Sequence, residues 1–266
     1  MFDIGVIGSG NMGEAIIRGL IQSKKVDPEK IVVSDVNQYR LDFIIDKYGI
    51  AGVNNNARLA KLSKIIFLAV KPKDIEKVAE EIKANLSEDK IVVSILAGVK
   101  IEKLKNLLGE NTKIVRVMPN TPAIVGEGAI GVAFDNKISE DEKELIIDLL
   151  KTLGEVFIVD ESLLDAVTGL SGSGPAYVFT FIDALAQGGV KNGLPYDTAL
   201  KLAVQTVLGS AKLLKELDEH PAVLRDKVTS PAGTTIYGLH ELEKKSFRDA
   251  VISAVDSATK RSKDLS

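Results

Sequence analysis

The stretch "FDIGVIGSGNMGEAI", Phe2–Ile16, decides how the first half of this chain is read. An apolar run, "FDIGVIG", leads directly into "GSGNMG", Gly8–Gly13, and a helical pattern follows from Met12 to Ser23. A G-x-G-x-x-G between a strand and a helix is the signature of a dinucleotide-binding turn. Gly8 permits the tight turn, Gly10 lets backbone approach a pyrophosphate, and Gly13 lets the helix pack closely on the strand. With Ser9, Asn11 and Met12 between them, these residues offer a phosphate the unpaired N–H groups and positive dipole end of a helix.

Outward from this turn the pattern repeats. Apolar runs recur at "KIVVSD", "KIIFLAV", "KIVVSIL", "KIVRVM" and "AIGVAF", with helical patterns over Gln38–Tyr48, Ile75–Asn85 and Ile101–Leu108 between several of them. Strands that are apolar throughout, alternating with amphipathic helices, imply a parallel sheet covered on both faces. A further helix starts at the N-cap Ser139, carries acidic residues in its first turn and ends at Gly154, before the strand-like "EVFIV". Residues 1–160 therefore read as an α/β, mostly parallel, doubly wound dinucleotide-binding domain. From Ser162 onward no strand pattern is found, and residues 161–266 read as all-helical. "PAYVFTFIDALAQGGVKNG" is expected to stop at its paired glycines. "YDTALKLAVQTVLGSAKLLKEL" is helical throughout, and "TTIYGLHELEKKSFRDAVISAVDSATKRSKDL" continues nearly to the end.

Ligands of such sheets bind beyond the carboxyl ends of the strands. Asp35 ends the second run, 22 positions after Gly13, where an acidic side chain accepts a bond from a ribose 2′-hydroxyl and repels a 2′-phosphate. Ser34, Asn37 and Arg40 lie close by and could take a phosphate instead, so NADPH and NADH both stay open. Ala69, Val70, Lys71 and Pro72 close one later strand, and Ile95, Leu96 and Ala97 the next, presenting backbone on the nicotinamide side. Asn56 suits a helix cap better than a ribose contact, and Lys71 reads as a solvated lysine rather than a general acid. "RVMPNTPAIVGEG", Arg116–Gly128, leaves the same sheet edge and is expected to frame the hydride-transfer pocket with Met118, Pro119 and Asn120.

Composition narrows the function classes. Apolar residues make up 45% and charged residues 27%, and 34 Lys+Arg against 37 Asp+Glu leave a net charge of −3. There is no basic stripe to favour nucleic acid or an anionic membrane. The longest uncharged apolar-rich run, near "YVFTFI", falls far short of the ~20 residues of a membrane helix. The absence of cysteine removes disulfides and thiolate nucleophiles. The two histidines, His220 and His240, join no cluster that would bind a metal. Without a cationic leader at its start, the chain is expected to be soluble and cytoplasmic.

The inventory is hydroxyls, backbone donors and a nicotinamide site, which suits hydride transfer to a substrate activated by its own protonation. The second feature of note is "VTSPAGTT", Val228–Thr235, a small, hydroxyl-bearing bend at the start of the last helical pattern. Its N–H groups would point outward and suit a carboxylate without a buried cation. Ser230, Thr234 or Thr235 could equally serve as an ordinary cap.

Four segments taken together resemble the pyrroline-5-carboxylate reductase family over essentially the whole chain. They are "GSGNMGEAI", "FLAVKP", "RVMPNTPAIVGEG", and "GLSGSGPAYVF" followed by "VTSPAGTTIYGLHELEKKSFRDAVISAV". The resemblance implies a Rossmann-like N-terminal domain and a helical C-terminal domain that intertwines with a partner. It implies homodimers, able to assemble further into a decamer of dimers, and NAD(P)H-dependent reduction of 1-pyrroline-5-carboxylate to L-proline. The family's cofactor contacts fall on Gly8–Gly13, on Ser34, Asp35 and Asn37, on Asn56, and on Ala69–Pro72 and Ile95–Ala97. Its substrate contacts fall on Gly233, Thr234 and Thr235, with Ser173 nearby and Asp218 on the preceding helix end. Thr235 (or Thr234) is then the hydroxyl offered to the imine nitrogen, and the elbow of one subunit is expected to meet the nucleotide domain of the other.

Two rivals share parts of this pattern. β-Hydroxyacid dehydrogenases with a helical second domain rely on a lysine in a helix after the boundary, but Lys191 lies past the paired glycines and fits that role poorly. A redox sensor would bind NAD(P) without turnover.

Overall fold

Alternation along the strands builds the first half of the molecule, which the computed structural model describes, with the rest, over residues 1–265. In chain order the elements are β1 (Phe2–Ile7), α1 (Asn11–Gln22), β2 (Ile31–Ser34), α2 (Gln38–Tyr48), β3 (Ala51–Gly52), α3 (Asn56–Leu62), β4 (Ser63–Leu68) and α4 (Ile75–Ile82). β5 (Ile91–Ser94), α5 (Ile101–Leu108), β6 (Lys113–Met118), β7 (Gly128–Phe134), α6 (Glu140–Leu150) and β8 (Gly154–Ile158) complete the sheet region. The helical remainder is α7 (Leu164–Val167), α8 (Gly174–Lys191), α9 (Tyr196–Leu217), α10 (Pro221–Lys227), α11 (Thr234–Lys244) and α12 (Phe247–Asp264).

Side chains of successive strand residues point to opposite faces. Ile4, Val6, Ile31, Val33, Ile65, Phe67, Ile91 and Val93 pack on one face with Ile16, Ile17 and Leu20 of α1, Leu41 and Ile44 of α2, and Ile146 of α6. Ile7, Val32, Ile66, Leu68 and Val92 pack on the other with Leu59 of α3, Ile75, Val78 and Ile82 of α4, and Leu104 of α5. Burying each such side chain contributes about 1.5–3 kcal/mol. Two continuous apolar layers hold the sheet between helices, so it is doubly wound, as expected.

The sheet has eight strands in the order β3-β2-β1-β4-β5-β6-β7-β8. Neighbours from β3 through to β6 are parallel, while β7 runs antiparallel to β6 and β8 parallel to β7. The reversal at β7 departs from a wholly parallel arrangement. Its cause is the short connection Pro119–Glu127, too brief for a crossover helix and already taken up by a 3-10 turn at Thr121–Val125. β3, a strand of two residues at the edge, carries too little pattern to be seen in sequence.

Helix starts follow their caps. Ser139 accepts from the Glu142 N–H, and Glu142 reaches back to the Ser139 N–H, forming a capping box. Two helical expectations need correction. α8 does not stop at Gly188 and Gly189 but runs to Lys191, and the turn falls at Gly193 (φ 95°). Gly189 instead lies against α9, where an added Cβ would come within 2.9 Å of the Ala199 Cβ. The last long pattern is broken into α11 and α12 at Ser246, which takes a left-handed conformation (φ 55°).

The chain divides into two compact units: Met1–Ser173 joined by the stretch from Ser257, and Gly174–Asp256. This boundary lies beyond the one near residue 160 expected from sequence. Leu164 and Val167 of α7 pack against Gly131 of β7, and the Ser262 hydroxyl donates to Asp165 (2.7 Å). In the second unit α8 and α9 meet through Ala186, Ala199 and Ala203, and the Phe181 and Phe247 rings lie 5.8 Å apart. Among the described residues no helix is long and apolar enough to cross a membrane.

Candidate active site

Strand order reverses between β1 and β4, and the loops leaving the strands on either side lie together there. The Gly8 N–H donates to the Ser34 carbonyl (2.8 Å), the Ala69 N–H to Ile7 (2.8 Å) and the Ile95 N–H to Leu68 (3.2 Å). Three of the expected cofactor segments thus sit side by side along one sheet edge, at the crevice where such sheets bind ligands. Ala69 and Val70 are half-buried, Lys71 and Pro72 exposed, Leu96 buried and Ala97 exposed.

The glycine turn meets the demands of a dinucleotide. Gly8 has φ +97°, and a Cβ there would lie 2.6 Å from the Ala69 carbonyl oxygen. A Cβ on Gly13 would collide with the Gly8 carbonyl, whereas one on Gly10 would meet nothing within 4 Å. Gly10 is the N-cap of α1 with no side-chain cap. Its open side and the uncapped N–H groups behind it form a cradle that a side chain would fill and a pyrophosphate fits.

At the end of β2, Asp35 accepts from the Ser9 N–H (2.7 Å) and hydroxyl (2.8 Å) with one carboxylate oxygen, and from the Asn37 N–H (2.8 Å) with the other. Asp35 caps no helix; Asn37 caps α2 by accepting from the Arg40 N–H (3.1 Å). The capping expected of Asn56 belongs to Asn55, which accepts from the Arg58 N–H at 2.8 Å. One residue further on, Asn56 accepts from the Ser34 hydroxyl (2.6 Å) and donates to Glu81 (2.6 Å). Ser34, Asp35, Asn54–Asn56, Lys77 and Glu81 line a hollow of about 390 Å³.

Sequence reasoning missed Glu14, in the first turn of α1. Its carboxylate pairs with Arg40, with Lys47 (2.8 Å) and with the Tyr48 hydroxyl (2.8 Å). Partial burial acts to raise the Glu14 pKa. Hydrogen bonds from Lys47, Arg40 and Tyr48, with the Arg40 charge, overcome it and bring the pKa down from 4.5 to about 2. An acidic residue directly after the glycine turn was the available signal.

The "RVMPNTPAIVGEG" loop is packed into the protein. Asn120 is buried, donates to the Ser171 carbonyl (3.0 Å) and accepts from the Ala129 N–H (3.0 Å), so both ends of its amide are engaged. Pro119 is buried too. Met118 lies against Gly172, in a π-helical turn over Thr168–Gly172 that ends at Ser173. Such turns inside helical segments recur at functional sites.

In the second unit, "VTSPAGTT" bends through Ala232 (φ 55°) into α11, whose N-cap is Gly233. Neither Ser230 nor either threonine caps it: no side-chain cap is made. The first-turn N–H groups of Thr234, Thr235 and Ile236 are therefore free of a side-chain acceptor, contrary to the ordinary-capping alternative. Thr234 is exposed and Thr235 half-buried. A side chain at Gly233 would strike the Ser230 hydroxyl. Asp218 ends α9 in a left-handed conformation (φ 50°). His220 caps α10, and Lys191, the exposed last residue of α8, is no buried base.

Similarity to known proteins agrees with this geometry. A family model described as pyrroline-5-carboxylate reductase dimerisation matches residues 161–265, and one described as NADP oxidoreductase coenzyme F420-dependent matches residues 3–98. The pyrroline-5-carboxylate reductase of Arabidopsis thaliana is 43% identical over 265 residues, covering 100% of this chain and 96% of its own. This chain belongs to the pyrroline-5-carboxylate reductase family. The structure of the Coxiella burnetii pyrroline-5-carboxylate reductase superposes with a TM-score of 0.93 at 37% identity, over 100% of this chain and 98% of that one. The Plasmodium falciparum pyrroline carboxylate reductase, solved with NADP bound, superposes at 0.90 with 34% identity, over 99% and 98%.

Proposed function

We propose that the chain reduces 1-pyrroline-5-carboxylate to L-proline with NADPH or NADH. The reaction joins one hydride and one proton to the C=N bond, the hydride to carbon and the proton to nitrogen. A reduced nicotinamide bound at the Gly8–Gly13 turn supplies the hydride. The observation that carries this reading is the uncapped start of α11 at Gly233, which leaves consecutive N–H groups for an anion.

The chain's own part is alignment and charge placement. Gly10 and the start of α1 hold a pyrophosphate, and Ala69–Pro72 and Ile95–Ala97 present backbone on the same sheet edge. The N–H groups of Thr234 and Thr235 hold the substrate carboxylate, and the Thr235 hydroxyl meets the imine nitrogen. Met118 and Pro119 wall the reaction site; Ser173 and Asp218 border the substrate. Alignment of this kind is worth about 7–11 kcal/mol in well-oriented systems. The elbow of one subunit serves the nucleotide domain of another, which makes residues 161–266 the dimerisation domain of a homodimer that assembles further.

The test is steady-state oxidation of each reduced cofactor with pyrroline-5-carboxylate, on the natural chain and on Thr235→Ala. The natural chain turns over. Thr235→Ala loses about 100-fold in kcat, the scale of one preorganised donor, while cofactor Kd moves less than about threefold. A change in cofactor Kd alone overturns the role of Thr235. Oxidation of 3-hydroxyacids in place of imine reduction would sink the whole reading.

A further inference from the structure

A ribose with a free 2′-hydroxyl and one with a 2′-phosphate ask opposite things of the β2 end. The first asks for an acceptor, the second for a cation and donors. The acceptor is in place: Asp35 is held against the glycine turn by the Ser9 N–H, the Ser9 hydroxyl and the Asn37 N–H. The groups beside it that could receive a phosphate are engaged, wholly or in part, within the protein. The Ser34 hydroxyl donates to Asn56, and the Asn37 amide oxygen caps α2. Arg40 donates through Nε to the Ser9 carbonyl (2.7 Å), pairs with Glu14, and lies 5.3 Å from the Phe43 ring centroid. Lys47 is drawn to the same Glu14. Among the residues lining the hollow the cation is Lys77, and the carboxylates are Asp35 and Glu81.

We infer that this chain selects NADH over NADPH, with Asp35 as the group that repels a 2′-phosphate and Glu14 as the residue that withholds Arg40 from it. The inference rests on the Gly8–Gly13 turn being the dinucleotide site. Glu14 touches no ligand in this scheme; it acts through Arg40. The unusual consequence is that an acidic residue on α1 sets the sign of a pocket it does not line.

The test is equilibrium titration of the intact protein with NADH and with NADPH, read by dihydronicotinamide fluorescence without imine. The natural chain binds NADH about tenfold more tightly, the scale of one unfavourable charge contact near the surface. Asp35→Asn narrows that ratio from both sides. Glu14→Gln strengthens NADPH binding about fivefold and leaves NADH within about twofold. Arg40→Gln alone leaves NADPH affinity unchanged, yet abolishes the gain when combined with Glu14→Gln. Should Glu14→Gln fail to fold, the natural ratio and Asp35→Asn decide. Equal or tighter binding of NADPH by the natural chain overturns the inference, as does a folded Glu14→Gln whose NADPH affinity does not move. Binding of neither cofactor overturns the reading of the glycine turn itself.

Discussion

In the sheet unit, strand after strand is closed to solvent on both faces, and Phe67, Ile31 and Leu41 are almost wholly buried. In the Gly174–Asp256 unit the buried apolar side chains are three alanines, Ala186, Ala199 and Ala203, while Phe179, Leu208 and Tyr237 are 60–71% exposed. Both units are built from ordinary amphipathic elements, so the difference is one of completeness. The sheet unit has a core of its own. The helical unit buries mainly small residues where α8 and α9 meet, and leaves many large apolar side chains exposed. Exposed apolar surface on that scale marks an interface, and the dimerisation family model covers this region. Its stability should therefore depend on protomer concentration more than that of the sheet unit.

The largest expected effect breaks the comparison at this point. Phe179→Glu or Leu208→Glu puts a charge on the exposed apolar face of α8 or α9. Each should raise the dimer dissociation constant at least about 100-fold, the scale of a lost interface anchor. Sedimentation would show monomer, circular dichroism would lose part of its helical signal on dilution, and reductase activity would fall with it. Binding of the reduced cofactor should survive, because the sheet unit keeps its core. If both substitutions left the sedimentation coefficient unchanged, the helical unit would have to be complete as it stands.

A smaller effect sharpens the other side. In a unit with its own core, a substitution that meets no atom should change binding and not folding. Gly10→Ala is that substitution, since a Cβ there meets nothing within 4 Å. Its melting temperature should stay within about 2 °C, because exposed substitutions usually fall within about 0.5 kcal/mol. Cofactor affinity should nevertheless drop at least about tenfold as the methyl group occupies the pyrophosphate's approach. A matched loss of stability and affinity would mean that the turn is merely structural.

How far each region could be read beforehand follows from where its interactions lie. The β1–α1 turn was legible because strand, glycines and helix are contiguous, and the two faces of the sheet were legible from apolar runs. The reversal at β7 was not, since strand direction depends on the length of one loop. Gly188–Gly189 looked like a stop because a glycine pair breaks helices locally, and only the nearness of Ala199 shows why one of them is inside α8. Asn56 and Asn55 are adjacent and chemically identical, so the choice between cap and hollow rests on backbone angles. Glu14 was missed for a related reason: Arg40 and Tyr48 are 26 and 34 residues away along the chain. The elbow was legible as a bend before the last helical pattern, but its lack of a side-chain cap was not.

The smallest expected effect separates the two units by pH. The Glu14 pKa is held down at about 2, against an ordinary 4.5, by groups that all belong to the sheet unit. A carboxylate with a depressed folded-state pKa binds fewer protons folded than unfolded. Its contribution is complete above its ordinary pKa and disappears as pH falls toward 2. Much of this side chain's surroundings is still wet, so the ion-pair cluster is worth only about 1 kcal/mol near neutrality. The urea midpoint of the sheet unit should therefore be lower for Glu14→Gln than for the natural chain near neutral pH. The two should converge on acidification, at any protein concentration. The helical unit's transition should shift with dilution and be indifferent to this substitution. A Glu14→Gln deficit that changed with protein concentration, or that stayed undiminished near pH 2, would mean that the charge cluster is not an internal property of the sheet unit.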